Sequence, residues 1–463
     1  MTSAELEIAR ALIAADTQPG KGTRAAVDVL MPVWRAAGLE VLLDDAGGGD
    51  VNALASPPGA LERGGDALLL VTHLDTVPSG PADRWTKTGG DPHRLTVEGD
   101  LAYGLGTADV KLDALAKAWA AARLKGVTLA RPFHLLGTFG EEVGLRGTRR
   151  FIEGGPVRPR WVACGEPCEL RIMSAHKGYA VVRVRLTDRA ARAVETPETD
   201  VLTFEGKAAH SSTPALGVNA IDKALAYTLS VSARVLSVRG GTAANMIPGR
   251  CELVVAAPYE KGTPQPERAM PGGLVPRGKN LWRAAATAHA LGELWRSLAA
   301  KLEPAEDARF APAGAVASTT VIASGDDYVE ATFDARLLPA HDPEALLAAF
   351  STAAPAWTAR LGDGALDLEI AIDRRYGGMS MPPDAPLVQA AGRAASALGL
   401  DPTPTAKPTS TEAGPFFRAG AEAIVFGAGR STGNAHCANE HTVLSQLARA
   451  VDFYERLVRE VCA

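Results

Sequence analysis

The sequence predicts an α/β protein in which a mostly parallel sheet is interrupted by a smaller α+β domain. Three observations lead there. Apolar strand-like runs alternate with helix-like segments over the first 180 residues, the texture changes to half-exposed alternating strands from about 181, and the first texture returns from about 373. A chain of 463 residues is also long for a single core, so two domains are the default. The expected division is a larger discontinuous domain, 1–180 with 373–463, around a smaller one, 181–372.

Taken in order, "MTSAELEIARALIAADT" reads as an amphipathic helix that contains acids and lacks an apolar signal core. "ALLLVTHL" (67–74) reads as a buried strand, "KLDALAKAWAAARLKG" (111–126) as an Ala-rich helix and "PFHLLGTFG" (132–140) as a strand. "RGTRRFIEGG" is a helix with a glycine stop, and "RWVACGEP" (160–167) is another short strand. In the smaller domain, "YAVVRVRLT" and "VLTFEGKA" look like antiparallel strands, followed by a helix at 219–236. The Pro/Gly-rich stretch 258–280 reads as a surface insertion or mobile loop. A long helix at 280–302, the strands "STTVIAS" and "YVEATFDARLL", a helix at 342–354 and the strand "LDLEIAI" complete an enlarged βαββαβ-like domain, with extra material near 258–315. The helix "APLVQAAGRAASALG", the strand "AEAIVFGAG" and a final helix "VLSQLARAVDFYERLVREV" close the chain. No regular repeat stands out.

Composition narrows the function classes. A net charge of -5 argues against a nucleic-acid binder, and no run of 18 apolar residues exists to span a membrane. The five cysteines are odd in number and scattered, which suits reduced thiols and a cytoplasmic protein. Cys164 and Cys168 lack the second pair that a structural zinc site needs, so they read as small buried residues.

The chemistry gathers where strands end, which is where open α/β sheets collect ligands. His73 and Asp75 follow "LLLVT", Asp109 follows "LAYGLGTA", Glu141 and Glu142 follow "LLGTFG", Glu166 follows "WVACG" and His436 follows "IVFGAGRSTGNA". One such residue is ordinarily a structural hydrogen-bonder. Two histidines and several carboxylates at corresponding strand ends suit a pair of divalent ions such as Zn²⁺.

The motifs "HLDTVP", "YGLGTADVK", "GEE", "GEP", "AHKG", "AHSSTPALGVNAI", "STEAGPF" and "AHCANE" resemble those of the acetylornithine deacetylase, succinyl-diaminopimelate desuccinylase and glutamate carboxypeptidase family of dizinc amidohydrolases. They occur in the family's order from about residue 70 to 445, and several look closest to the acetylornithine deacetylase branch. The resemblance implies a catalytic domain interrupted by a lid or dimerisation domain, a homodimer, and two Zn²⁺ or Co²⁺ ions. It implies that Asp109 bridges the ions, with His73 and Glu166 completing one site and Glu142 and His436 the other. Glu141 would be the general base, and Asp75 would hold the far nitrogen of His73. His210 would stabilise the oxyanion in the active site of a partner subunit. Asn245 and Arg336 match positions around the substrate, where an arginine could clamp a carboxylate. Lys177 and Glu412 are further pocket candidates, whereas Asn219 reads as a helix cap. The implied substrate is a small N-acyl amino acid, N²-acetyl-L-ornithine first. An N-succinyl-diaminopimelate desuccinylase, an acetylcitrulline deacetylase or a dipeptidase or carboxypeptidase remains as an alternative.

The chain departs from the family pattern at Val110-Lys111-Leu112, at Gly140, and in the long stretch between Asn245 and Arg336. Two readings of other classes are weaker. "GRSTG" (429–433) fits a serine-hydrolase pattern with Ser431 as nucleophile, but that motif needs a strand–turn–helix elbow. A non-catalytic binding relative would be expected to have lost ligands or the base, all of which are present here.

Overall fold

Four strands run parallel at the centre of a nine-stranded sheet, in the order Phe133–Thr138, Leu68–His73, Trp161–Gly165, Glu422–Phe426. The structure, a computed structural model, describes residues 1–62, 66–194, 199–230, 234–256 and 279–463. All but the last two residues of the Pro/Gly-rich stretch 258–280 lie outside the described residues. The described chain divides into two compact units, Met1–His176 with Met379–Ala463, and Lys177–Gly378.

In the first unit the central strands are buried along almost their whole length, as parallel strands covered on both faces must be. Alternate residues serve the two faces. Leu68 and Leu70 join a core formed with the helices Ser3–Ala14, Arg24–Ala36, Lys111–Arg123, Pro386–Ala397 and Leu444–Cys462. Leu69 and Val71 face the other way, onto Phe151 and Phe416 of the helices Arg146–Gly154 and Ala413–Arg418. Cys164 and Cys168 are buried in that second core, and all five cysteines are free thiols. Antiparallel strands flank the parallel ones: Glu40–Gly47 and Asp50–Ser56 on one side, Met173–His176 and Met379–Ser380 on the other. The short strand Thr405–Lys407 pairs in parallel with Met173–His176.

The second unit is a seven-stranded antiparallel sheet. Its helices Ala220–Ser230, Trp282–Ala300 and Pro343–Gly362 pack into one core with Ala180, Val182, Val184 and Leu186 of the strand Gly178–Asp188. Two expectations are corrected here. The helix expected at 219–236 ends by Ser230, and Arg234–Gly240 is a strand, paired with Arg250–Ala256. The β-branched residues Val235 and Val238 sit on its buried side. The helix expected at 342–354 runs on to Gly362, carrying Pro355 on an exposed side, where a lost backbone donor costs less.

Among the described residues no helix is long and apolar enough to cross a membrane.

Candidate active site

Each central strand of the first unit hands a polar residue to the same end of the sheet. His73 is the last residue of its strand and is 1% exposed. Its Nδ1 lies 3.1 Å from the backbone oxygen of Asp75, nearer than the Asp75 carboxylate at 3.7 Å. An oxygen acceptor there puts the ring proton on Nδ1 and leaves Nε2 facing Asp109 Oδ1, 3.1 Å away. The other Asp109 oxygen lies 3.3 Å from His436 Nε2, and that nitrogen is 2.9 Å from Glu142 Oε1. Asp109 therefore stands between two imidazoles, giving one oxygen to each.

The acidic pair is aimed by two devices. Gly140 takes φ +64°, a left-handed conformation that favours glycine, and turns the chain back after its strand. Both oxygens of Asp75 then accept from the pair's backbone, Glu141 N–H and Glu142 N–H at 3.0 Å each. The Asp75 carboxylate thus orients the acidic loop rather than chiefly the His73 ring. His436 also sits at a left-handed φ of 61°. Its loop is tied by Asn434, whose amide donates to Arg430 O and His441 O and accepts from His441 N–H.

Charge at this end is lopsided. Burial pushes the Glu141 carboxyl well above its ordinary range, helped by Glu142, Glu166 and Asp75 and opposed by His73. Burial likewise lifts Asp75 to about 6. Burial would depress His73, but the hydrogen bond to Asp109 and the charges of Glu141, Asp109 and Asp75 hold it well above its usual value. His436 is raised against the same opposing burial by Glu142 and Asp109. Carboxylates gathered away from water need cations. One ligand atom from each of His73, Asp109 and Glu142 lies within 4.8 Å of the others, so the donor set fits a metal ion.

Glu166 is buried at the end of its strand, and its Oε2 is engaged by the ammonium of Lys407. Burial would lower the Lys407 pKa, but the Glu166 charge raises it well above the usual lysine value. Ser431 lies in a run of turns, and the next helix begins only at Leu444, so the elbow a serine nucleophile requires is not formed.

With this geometry in view, the family model Peptidase family M20/M25/M40 matches residues 69–460. The chain belongs to that family. Acetylornithine deacetylases of Vibrio atlanticus and Vibrio vulnificus are 30% and 32% identical to it over 275 residues, covering 54% of this chain. The match takes in 66% of those relatives' length, just under two thirds. The fold is shared with an aminoacylhistidine dipeptidase of Vibrio alginolyticus (TM-score 0.63, 15% identity, 99% of this chain and 97% of that one). An M20 family metallo-carboxypeptidase of Sulfolobus solfataricus is similar too (TM-score 0.60, 17% identity, 99% of each chain).

In the second unit of this M20 chain, three of the expected residues meet around Ser211. His210 ends the strand Ala209–His210 and Asn245 precedes its partner Met246–Ile247, and Ser211 N–H donates to Asn245 O at 2.9 Å. The Ser211 hydroxyl lies 2.9 Å from Asp334 Oδ2 and 3.1 Å from an Arg336 nitrogen. Arg336 is buried, bonds Asp334 at 3.2 Å and stacks 3.6 Å over the Tyr179 ring, so part of its fork is already committed. Ser212 N–H donates to His210 Nδ1 at 3.1 Å, which puts the neutral ring's proton on Nε2. Lys177 donates to Pro312 O and Gly314 O at 2.7 and 2.6 Å and so fastens the segment preceding the strand Val316–Ser324. Asn219 caps its helix, accepting from Ile221 and Asp222 N–H.

Three buried residues went unread in the sequence. Glu440 accepts the N–H groups of Ala108 and Asp109 at 2.9 and 3.0 Å. It stands in the "AHCANE" motif, four residues after His436, and that motif was the available signal. Asp113 and Lys117, one helical turn apart, form an ion pair of 2.7 Å and reach Tyr454 and Thr72, the residue before His73. An acid and a base four apart on a helix give no sign in the sequence of being buried. Glu412, expected as a pocket residue, is 1% exposed and accepts from the hydroxyls of Thr138, at 2.5 Å, and Thr148.

Proposed function

We propose that this M20 chain is a cytoplasmic amidohydrolase, dependent on two Zn²⁺ or Co²⁺ ions, that removes the N-acyl group of an amino acid. The observation that carries the reading is Asp109 between His73 and His436, with Glu142 on one imidazole and Glu141 beside it. His73, Asp109 and Glu166 would hold one ion, and Asp109, Glu142 and His436 the other. When bound, such ions would acidify a water and polarise the acyl carbonyl. Glu141 would take a proton from the attacking water and pass it to the departing amine; burial raises its proton affinity. Asp75 keeps the base in place through the loop backbone. Glu412 supports the same loop from behind, a positioning role in place of substrate contact. His210 would offer its Nε2 proton to the oxyanion in the active site of a partner subunit, as the family resemblance implies. Asn245, Arg336 and Lys177 remain the candidates for substrate contact. A homodimer is the assembly that the family resemblance favours.

N²-Acetyl-L-ornithine is the leading substrate, giving ornithine and acetate in arginine biosynthesis. Both the branch motifs and the names of the Vibrio relatives support it. The test is a panel assay of the metal-loaded protein on acetylornithine, succinyl-diaminopimelate, acetylcitrulline and simple dipeptides. Acetylornithine should be turned over fastest. Good dipeptide turnover with none of acetylornithine would sink the substrate assignment and leave the reaction class standing.

A further inference from the structure

We infer that Lys407 is a positioning residue that ties down one oxygen of Glu166 and makes the ion held there the loosely bound one of the pair. This rests on the reading of Glu166 as an ion ligand. Lys407 ends the short strand Thr405–Lys407, paired in parallel with Met173–His176, and that pairing sets its Cα opposite His176. From there its ammonium reaches Glu166 Oε2, and both side chains are only 7% exposed. The partners stand 241 residues apart in the chain, so the contact is made by the sheet and not by local sequence.

Three consequences follow from charge and geometry. With Oε2 engaged, Glu166 has Oε1 left to offer, so it would meet an ion through one oxygen. The ammonium also opposes a cation arriving at Glu166, and it cannot step aside without leaving a buried charge unpaired. The ligands Asp109 and Glu142 differ in this respect. Their side chains meet the imidazoles of His73 and His436, which carry no fixed charge and are themselves among the ion ligands. Finally, Glu166 stays neutralised when its ion leaves, so the folded chain tolerates that loss. A partner that accepts a hydrogen bond from a ligand strengthens metal binding. Lys407 donates to the ligand and carries a like charge to the ion, so its effect has the opposite sign.

The full-length zinc-loaded protein, dialysed against buffers of graded free zinc, tests this by its zinc content. Wild type should lose one zinc per chain early and the other late. Lys407→Met should hold the early zinc down to about tenfold lower free zinc or further, and its zinc-free form should melt below zinc-free wild type. Lys407→Arg, which keeps the charge, should behave as wild type. Lys407→Gln repeats the measurement if the methionine variant does not fold. Zinc lost from Lys407→Met at the same or higher free zinc than from wild type would overturn the inference and mark Lys407 as an ordinary orienting group. Glu166→Ala separates the two ideas: it should lack the early zinc altogether. If it keeps both zincs as wild type does, the ligand assignment itself fails.

Discussion

At the scale of single residues, two neighbouring glutamates have different surroundings. The Glu142 side chain meets His436 at 2.9 Å, while Glu141 is surrounded by carboxylates and is pushed up by burial. Successive residues leaving a turn point in different directions, so one can face an ion while the other faces water. Glu141→Gln should therefore retain its metal and lose about 10²- to 10⁴-fold in kcat. Metal analysis beside steady-state kinetics checks this, and a variant that arrives short of metal would mean the two roles are exchanged. The pair was legible in the sequence because "GEE" at a strand end is a local feature. The orienting work of Asp75 was not, because it depends on two backbone N–H groups 66 and 67 residues away.

At the scale of elements, strand ends are held in register by polar contacts behind the site. Glu412, at the start of the helix Ala413–Arg418, receives the hydroxyls of Thr138 at the end of one strand and Thr148 in the helix Arg146–Gly154. These contacts bracket the loop that carries the acidic pair. Glu412→Ala strands two buried hydroxyls and should cost about 3 kcal/mol of unfolding free energy. Denaturant titration measures that loss, and an unchanged midpoint would return Glu412 to the list of pocket residues. Most elements were readable from apolar runs and helical spacing. The strand Arg234–Gly240 was not, since its residues continue a helical pattern and only pairing with Arg250–Ala256 decides their conformation.

At the scale of the whole molecule, the buried charge makes stability depend on pH and metal together. His73 and His436 are raised above 6.5, so the stability they contribute is full below pH 6.5 and is lost as pH climbs through their folded values. Burial, reinforced by the Asp109 charge, holds Glu440 up at about 8. A carboxyl that keeps its proton longer in the folded state also loses stability from its ordinary 4.5 up to that value. Asp109 shifts the other way against the pull of burial, and its contribution disappears only in acid below 3.8. The metal-free protein should thus melt at steadily lower temperature from pH 6.5 upward. Zinc, which binds deprotonated imidazole, should raise the melting temperature more at pH 8 than at pH 6. Calorimetry on both forms across that range reads the difference; equal shifts at the two pH values would contradict the metal reading of the histidines.

The sequence by itself determined the α/β class, the family and the residues at the strand ends. Those rest on local punctuation and on side-chain chemistry that no fold is needed to recognise. Tertiary structure alone decided which groups stand behind them: Lys407 on Glu166, Glu440 on the backbone of Asp109, and Ser211 between Asp334 and Arg336. The reason is distance along the chain. Those contacts join residues separated by 241, 331, 123 and 125 positions, and a buried charge reveals its partner only when the sheet has brought the two together.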